Sequence, residues 1–308
     1  MSVVHFIDIR DHSPQWLAHV LELSRELRSE RQAGRRQDLL AGKTLAMLFE
    51  KPSLRTRISF QQAVYELGGQ AISLQNQEFG IGQRESAADI ARVLSGMVHG
   101  VMARVFEHRK LRDLADHATI PVVNALSDDS HPCQALADVL TMQDEFGPDL
   151  RGRTLAFIGD GNNVALSLAE LCAKLGIKFV LAAPSGYELP GHKLDAIRRQ
   201  CPGAELHTTH DPRQAASGAD ALYTDTFVSM GQEEEKQARL AAFRDYQIND
   251  HLLAAAPGHA VVLHCLPAYR GVEITDAVMD GPRSRVFPQA HNRLHVQKGL
   301  LAALMGGG

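Results

Sequence analysis

The feature that most constrains this chain is a five-residue motif, Ser53-Leu54-Arg55-Thr56-Arg57. A short apolar run, Thr44–Phe49, precedes it and predicts a buried strand, and apolar residues recur at helical spacing over 58–67. The motif is therefore expected at a helix N-terminus, where unpaired backbone N–H groups and the helix dipole attract an anion. Arg55 and Arg57 add forked donors that suit a phosphate. The sequence predicts a phosphate site that needs no metal.

Composition narrows the function to a soluble enzyme acting on small molecules. The chain has 308 residues and a net charge of -4, which gives no basic surface for nucleic acid and no polybasic anchor for a membrane. The first ten residues lack a charged leader followed by an apolar core, so we expect a cytoplasmic protein whose partners are small molecules and other subunits. The four cysteines are widely spaced, which argues against disulfides and a structural zinc site: Cys133, Cys172, Cys201 and Cys265.

Strand and helix patterns alternate along the chain in two series. This rhythm predicts an α/β fold of two parallel-sheet domains, with the active site in the cleft between them. The first domain is expected over 1–147 and the second over 148–289, because Gly147 and Pro148 interrupt the pattern. A last helix over 290–305 is expected to pack back on the first domain.

Polar clusters follow several predicted strands, as expected of ligand-binding residues in a parallel sheet. A simpler explanation of the motif 53–57 is that Ser53 only caps a helix and that both arginines face solvent. The presence of these further polar clusters makes that explanation less favoured than a phosphate site. The clusters are Arg104, His131-Pro132-Cys133-Gln134, Gly159–Asn163, Asp225–Gly231, His264–Ala268 and, at the start of the last helix, Arg293.

With these motifs the chain resembles the ornithine carbamoyltransferases almost from end to end, from Phe49-Glu50-Lys51-Pro52 to Asn292-Arg293-Leu294-His295. Ser-x-Arg-Thr-Arg and His-Pro-x-Gln mark transcarbamylases in general and imply carbamoyl phosphate as donor. Asp-x-x-x-Ser-Met-Gly at 225–231 and His-Cys-Leu-Pro at 264–267 mark the ornithine branch. The resemblance implies transfer of a carbamoyl group to the δ-amine of L-ornithine, giving L-citrulline and phosphate.

The resemblance also implies roles for individual residues. In the donor site, the phosphate and carbamoyl groups are expected to contact Ser53, Leu54, Arg55, Thr56, Arg57, Arg104, His131, Pro132, Cys133, Gln134, Cys265, Leu266 and Arg293. In the acceptor site, ornithine is expected to contact Asn162, Asp225, Ser229 and Met230. The residues expected to act in catalysis are Arg104, His131, Gln134, Asp225, Cys265 and Arg293, with Cys265 and Asp225 removing the amine proton.

No cofactor or metal is expected. Gly159-Asp160-Gly161 resembles the start of a dinucleotide motif, but Val164 replaces its third glycine and no acidic residue ends the next strand. A covalent thiol mechanism through Cys265 is ranked below direct attack, because an amine nucleophile needs no acyl-enzyme.

Two alternatives to ornithine transfer stay open at this point. One is a transcarbamylase for another amine, such as putrescine or an acylated ornithine; the other is a catalytically silent protein that only binds carbamoyl phosphate. The family resemblance implies homotrimers or multiples of trimers. Two positions depart from the family. Gly80 stands where many relatives carry a Gln or His that reaches a neighbouring subunit, and Gln83 or Arg84 are the candidates to replace it. His291 stands where relatives often have Glu, two residues before Arg293.

Overall fold

The computed structural model describes residues 3–228 and 233–307. The chain forms two compact units, one made of Met1–Ala137 with His291–Gly308 and the other of Asp138–Ala290. The chain therefore leaves the first unit and returns to it only at the end. The boundary predicted after residue 147, and the assignment of one substrate to each domain, stay predictions.

The first unit contains a four-stranded sheet in which all the paired strands are parallel, with the order β2-β1-β3-β4. Its strands are β1 (Thr44–Phe49), β2 (Gln70–Gln75), β3 (Gly100–Arg104) and β4 (Val122–Leu126). β1 and β3 are fully buried, in keeping with their apolar sequences. Phe49 at the end of β1 pairs with Arg104 at the end of β3. The predicted phosphate motif, residues 53–57, therefore leaves the sheet beside this arginine.

Helices cover this sheet and connect its strands. Those contained in the first unit are α1 (Pro14–Gln32), α2 (Leu54–Glu66), α3 (Asn76–Phe79), α4 (Ala87–Ser95) and α5 (His108–His117). Helix α6 (Pro132–Phe146) carries the chain into the second unit. The N-cap serines of α1, α2 and α4 each accept the backbone N–H of the third helical residue, which explains where these helices begin.

The second unit contains a five-stranded parallel sheet with the order β7-β6-β5-β8-β9. Its strands are β5 (Thr154–Ile158), β6 (Lys178–Ala182), β7 (Leu206–Thr209), β8 (Ala221–Thr224) and β9 (Val261–His264). Its helices are α7 (Asn163–Leu175), α8 (Gly191–Gln200), α9 (Pro212–Ala216), α10 (Lys236–Ala242), α11 (Asp250–Leu253) and α12 (Asp276–Met279). Helix α13 (Val286–Met305) begins in this unit and ends in the first.

The predicted fold class is confirmed, because both units are parallel-sheet α/β structures. In the second sheet, Thr224 at the end of β8 pairs with His264 at the end of β9. The next residues, Asp225 and Cys265, therefore leave the sheet side by side. Within the described residues, none of the helices has the length and apolar character that crossing a membrane requires.

Candidate active site

The motif 53–57 forms the N-terminus of α2. Ser53 is the N-cap, with its Oγ accepting the backbone N–H of Thr56 at 3.3 Å. Arg55 is half-buried and Arg57 is exposed, whereas Thr56 is fully buried. The Leu54 side chain is 70% exposed, so only the backbone of this residue is suited to contact a phosphate. A helix N-terminus of this kind suits an anion, and Arg55 and Arg57 add positive charge to its first turn.

Arg293 forms hydrogen bonds to two other predicted site segments, the motif 53–57 and the motif 131–134. Its guanidinium group donates through Nη2 to Thr56 Oγ1 at 2.9 Å and through Nη1 to Gln134 Oε1 at 3.0 Å. All three side chains are buried, with Arg293 3% exposed. A planar guanidinium has donors in a fixed fork, so these two acceptors fix its orientation.

His131 precedes α6 and lies among cations. Burial, followed by the charges of Arg293, Arg104 and Arg55, lowers its pKa well below the usual 6.5. The imidazole is therefore neutral at physiological pH and can donate one N–H to a carbonyl oxygen. Arg104, at the end of β3, is itself buried.

The neutral state of His131 predicts a loss of stability in acid. The unfolded chain binds a proton on this histidine as the pH falls below 6.5, whereas the folded chain does not, so the free energy of unfolding falls with pH. At about pH 5 the loss from this group is about 2 kcal/mol. Chemical denaturation at several pH values is expected to show a smaller loss for His131→Asn than for the unmodified protein. Equal losses in the two proteins would contradict the prediction.

The neighbouring predicted residue Cys133 has its side chain turned to the protein interior. Its thiol is fully buried and donates to the backbone carbonyl of Asn124 at 3.3 Å, and burial raises its pKa to about 12. Any contact from Cys133 to a ligand is therefore left to the backbone in the first turn of α6.

A cation beside the phosphate motif was not singled out from the sequence. Lys51 is buried, and its Nζ lies 4.1 Å from the centroid of the Phe106 ring. Burial, followed by the charge of Arg104, lowers the pKa of Lys51. The sequence placed this lysine in a strand-to-helix loop, but its proximity to Arg104 depends on the pairing of β1 with β3.

In the second unit, the Asp225 carboxylate accepts three hydrogen bonds. Asn162 Nδ2 donates to its Oδ2 at 2.9 Å, while the Cys265 thiol and the backbone N–H of Thr226 donate to its Oδ1 at 3.0 and 2.8 Å. Asn162 is held by its own role as N-cap of α7, with its Oδ1 accepting two backbone N–H groups. The structure thus brings three predicted residues together at the ends of neighbouring strands.

The Cys265 thiol is protonated in this arrangement. Burial, followed by the charge of Asp225, raises its pKa well above the usual 9.0. Nucleophilic cysteines have lowered pKa values, so the environment disfavours the covalent thiol mechanism. Cys265 acts as a hydrogen-bond donor that orients the Asp225 carboxylate.

His264 holds the loop that carries Cys265. Its Nδ1 accepts the backbone N–H of Leu266 at 2.9 Å, and its Nε2 lies 3.1 Å from Glu273 Oε1, with both side chains fully buried. Leu266 has a φ of 60°, which bulky residues rarely adopt. The backbone N–H of His264 donates to Gln289 Oε1 at 2.8 Å. Glu273 and Gln289 were not predicted, because no sequence motif marks them.

Ligand atoms of Asp225, His264 and Cys265 lie within 4.8 Å of one another, and these residue types bind zinc. Both nitrogens of His264 already have partners, however, and the thiol donates to Asp225. A metal would have to displace the support of Leu266. The prediction that no metal is needed stays a prediction.

A second residue missed by the sequence reasoning is Arg239 of α10, which is buried. Its Nε donates to the backbone carbonyl of Phe227 at 2.7 Å, and its guanidinium is paired with Asp160. The group lies 4.9 Å from the ring centroid of Tyr187 and 5.5 Å from that of Phe243. Arg239 therefore ties the loop after β5, which carries Asn162, to the loop after β8, which carries Asp225.

Two predicted acceptor residues, Ser229 and Met230, lie outside the described residues. Gly80, where the sequence departs from the family pattern, ends α3 in the left-handed conformation with a φ of 51°. A Cβ there would lie 3.0 Å from Arg84 Cβ, and Arg84 Nη1 donates to two backbone carbonyls of α3, at 3.3 and 3.4 Å. Arg84 is exposed, so its guanidinium faces solvent in a single chain.

Comparison with known proteins agrees with the motifs. The carbamoyl-phosphate-binding domain of aspartate/ornithine carbamoyltransferases matches residues 4–144, and their aspartate/ornithine-binding domain matches residues 151–304. The chain is 46% identical to an ornithine carbamoyltransferase of Methanopyrus kandleri, covering 99% of this chain and 98% of that protein. It is 47% identical to one of Anoxybacillus flavithermus, covering 97% and 96%. The structure of ornithine carbamoyltransferase from Pyrococcus furiosus superposes with a TM-score of 0.96 at 43% identity, covering 100% of this chain and 98% of that one. The resemblance read from the motifs is thereby confirmed, and the chain belongs to the aspartate/ornithine carbamoyltransferase family.

Proposed function

We propose that this protein is an ornithine carbamoyltransferase, which transfers the carbamoyl group of carbamoyl phosphate to the δ-amine of L-ornithine and releases L-citrulline and phosphate. The proposal rests on two groups of polar residues, which we call the donor half-site and the acceptor half-site. One holds Arg293 against Thr56 and Gln134 at the N-terminus of α2, and the other holds Asp225 between Asn162 and Cys265. The reaction requires the bound amine of one half-site to reach the carbamoyl carbon of the other.

The donor half-site suits a dianionic acyl phosphate. Backbone N–H groups of the α2 N-terminus supply directed donors, and the arginines supply charge, so the phosphate needs no metal to be held. We assign its contacts to the backbone and side chains of Ser53, Leu54, Arg55, Thr56 and Arg57, with Arg104 beside them.

Activation of the carbamoyl carbonyl is assigned to Arg293 and His131. Negative charge develops on the carbonyl oxygen as the amine attacks, and fixed donors stabilise this charge more than they stabilise the ground state. The neutral imidazole of His131 supplies an N–H, and Gln134 binds the carbamoyl amide. The backbone around Pro132, Cys133, Cys265 and Leu266 completes the proposed contacts.

The acceptor half-site has to bind ornithine and remove a proton from its δ-amine. A lysine-like amine has a pKa of about 10.4, so only a small fraction is neutral at pH 7. Asp225 accepts the proton in our proposal, and the thiol of Cys265 keeps its carboxylate oriented. The amine nitrogen then bonds to the carbamoyl carbon, the bond from that carbon to the phosphate oxygen breaks, and phosphate leaves with the electron pair. Asn162, Ser229 and Met230 are assigned to the α-amino and α-carboxyl groups of ornithine.

Arg239 is expected to affect the acceptor more than the donor, because it joins the two loops that carry Asn162 and Asp225. We predict that Arg239→Gln raises the KM for ornithine about tenfold, as expected when a buried charge-assisted bond is lost, and leaves the KM for carbamoyl phosphate within about twofold. Steady-state kinetics with each substrate varied in turn measures both values. Arg244→Gln, at an exposed position just after α10, is the control. Equal rises in both KM values would contradict the prediction.

Subunit assembly is also part of the proposal. Helix α2 presents large apolar side chains to solvent at Leu54, Ile58 and Tyr65, which are 70%, 58% and 62% exposed, and they recur at helical spacing. Exposed apolar stripes of this kind are typical of interfaces. Together with the family assignment, they support a homotrimer or a multiple of trimers. We further propose that the enzyme works in the cytoplasm, in arginine biosynthesis or in the reverse direction. Sedimentation equilibrium tests the trimer: a monomeric mass at micromolar concentration would rule it out.

The first test of the function is steady-state carbamoylation with carbamoyl phosphate and, in parallel, L-ornithine, putrescine, N-acetylornithine and L-aspartate. Ureido product and phosphate release are both measured. Product with ornithine alone supports the proposal. Preference for another amine would keep the donor assignment and overturn the acceptor assignment, and phosphate binding without any product would favour the silent binding protein.

A further inference from the structure

A largely buried ion pair lies at the C-terminal end of α2, remote from the motif 53–57. Lys298 Nζ of α13 lies 2.9 Å from Glu66 Oε2, the last residue of α2, with side-chain exposures of 4% and 14%. The same Nζ donates to the backbone carbonyl of Leu27 in α1 at 3.3 Å. Three helices of the first unit therefore meet at this ammonium group.

Helix α13 consequently holds α2 at two places. Arg293 donates to Thr56 in the first turn of α2, and Lys298 pairs with Glu66 at its last residue. These two positions on α2 are separated by about 15 Å along the helix axis, at about 1.5 Å per residue. The two contacts leave α13 little freedom to slide along α2 or to rotate about its own axis.

Contacts to α1 restrict α13 further. Arg28 Nη1 donates to Asn292 Oδ1 at 2.9 Å, next to Arg293 in the chain. At Gly299 the two helices approach so closely that a Cβ would collide with Ser24. The position of Arg293 along the axis of α13 is therefore set by contacts on both sides of it.

From this arrangement we infer that Glu66 and Lys298 are positioning residues for carbamoyl transfer, which fix α13 against α2 so that Arg293 meets both Thr56 in the proposed phosphate-binding turn and the carbamoyl group. The inference rests on the proposed function for its kinetic consequences. Neither residue touches the substrate in this scheme. The physical reason for an effect at a distance is that a small displacement of a catalytic donor is costly, with about 1 Å costing as much as 100-fold in rate.

Glu66 offers a matched control, because it also accepts from Arg31 Nε at 2.8 Å and from Gln62 Nε2 at 2.9 Å. Arg31 belongs to α1, and its contact to Glu66 does not involve α13. Arg31→Gln therefore removes a partner from the same carboxylate without releasing α13. In Lys298→Met, Glu66 keeps Arg31 and Gln62 as partners, so we expect this variant to fold.

The experiment measures the Kd of inorganic phosphate by calorimetry, the kinetic constants for both substrates, and the melting temperature. For Lys298→Met we expect the phosphate Kd and the KM for carbamoyl phosphate to rise about tenfold, kcat to fall by a similar factor, and the KM for ornithine to stay within about twofold. Glu66→Gln is expected to change the same constants. Lys298→Arg keeps the charge and is expected to restore the phosphate Kd to within about threefold, while Arg31→Gln leaves it within about twofold.

A different result is expected if Glu66 and Lys298 stabilise the fold without positioning Arg293. If Lys298→Met lowers the melting temperature but leaves the phosphate Kd and kcat unchanged, or if Arg31→Gln weakens phosphate binding as much, the inference is wrong. Failure of the proposed function is distinguishable from this outcome. If the proposed function is wrong but the inference is right, the unmodified protein carbamoylates no amine, while the phosphate Kd values of the variants still follow the predicted order.

Discussion

Replacing Arg293 by lysine is expected to lower kcat/KM for citrulline formation by about 10²- to 10³-fold, the usual cost of one lost donor to a developing oxyanion. The guanidinium bridges Thr56 Oγ1 and Gln134 Oε1 with separate nitrogens, at 2.9 and 3.0 Å. A lysine has a single ammonium group and cannot satisfy both buried acceptors while also facing the carbamoyl group. The effect is expected mainly in kcat, because the donor is needed most in the transition state.

The measurement is a set of initial rates with both substrates varied, together with the calorimetric Kd of inorganic phosphate. We expect the phosphate Kd to rise by about tenfold or less, since the α2 N-terminus and its other arginines remain. Far-ultraviolet circular dichroism serves as the control for folding. A fall in kcat/KM of less than about threefold would show that the guanidinium fork is not needed for transfer.

The second large effect is expected from Asp225→Asn, which should lower kcat/KM for ornithine by about 10²- to 10⁴-fold, the range for loss of a general base. The change is nearly isosteric, but it cannot keep all of the hydrogen bonds. Asn162 Nδ2 and the Cys265 thiol both donate to the carboxylate, so any orientation of the new amide turns its NH₂ group toward another donor. The variant also lacks the group that accepts the amine proton.

Cys265→Ser is the matched comparison, because a serine hydroxyl keeps a donor to Asp225. Its kcat/KM is expected to fall by only about tenfold. The ratio between the two variants, measured at several pH values, separates proton transfer from simple orientation. If Asp225→Asn retained more than a tenth of the unmodified activity, the assignment of Asp225 as proton acceptor would be wrong.

Much of the fold could be predicted from the sequence because local patterns were strong. Strand β1 has the predicted bounds, since Thr44–Phe49 is a short apolar run followed by a polar loop. Helix α13 was predicted to start later than it does. It begins at Val286 because Pro288 lies in its first turn, where the missing N–H is not needed. Helix α1 was not predicted, although Ser13 and Pro14 are a typical helix start.

The site was predictable to the extent that motifs mark it. Asp225 and Cys265 were placed together from the sequence, and the pairing of β8 with β9 explains why they meet. Arg239, Glu273 and Lys298 were not predicted, because each has its effect through a partner far away in the chain. Nothing local to these residues distinguishes them from an ordinary surface arginine, glutamate or lysine.

The order of the units along the chain has a consequence for synthesis. The first unit is made of Met1–Ala137 and His291–Gly308, so its last segment is translated after about 150 intervening residues. At about 5–20 residues per second, the N-terminal part waits roughly 8 to 30 seconds for the segment that carries Arg293. A nascent chain stalled before residue 291 should therefore expose the α1 and α2 surfaces that α13 later covers. The α2 end of the proposed phosphate site is therefore synthesised well before the arginine that completes it.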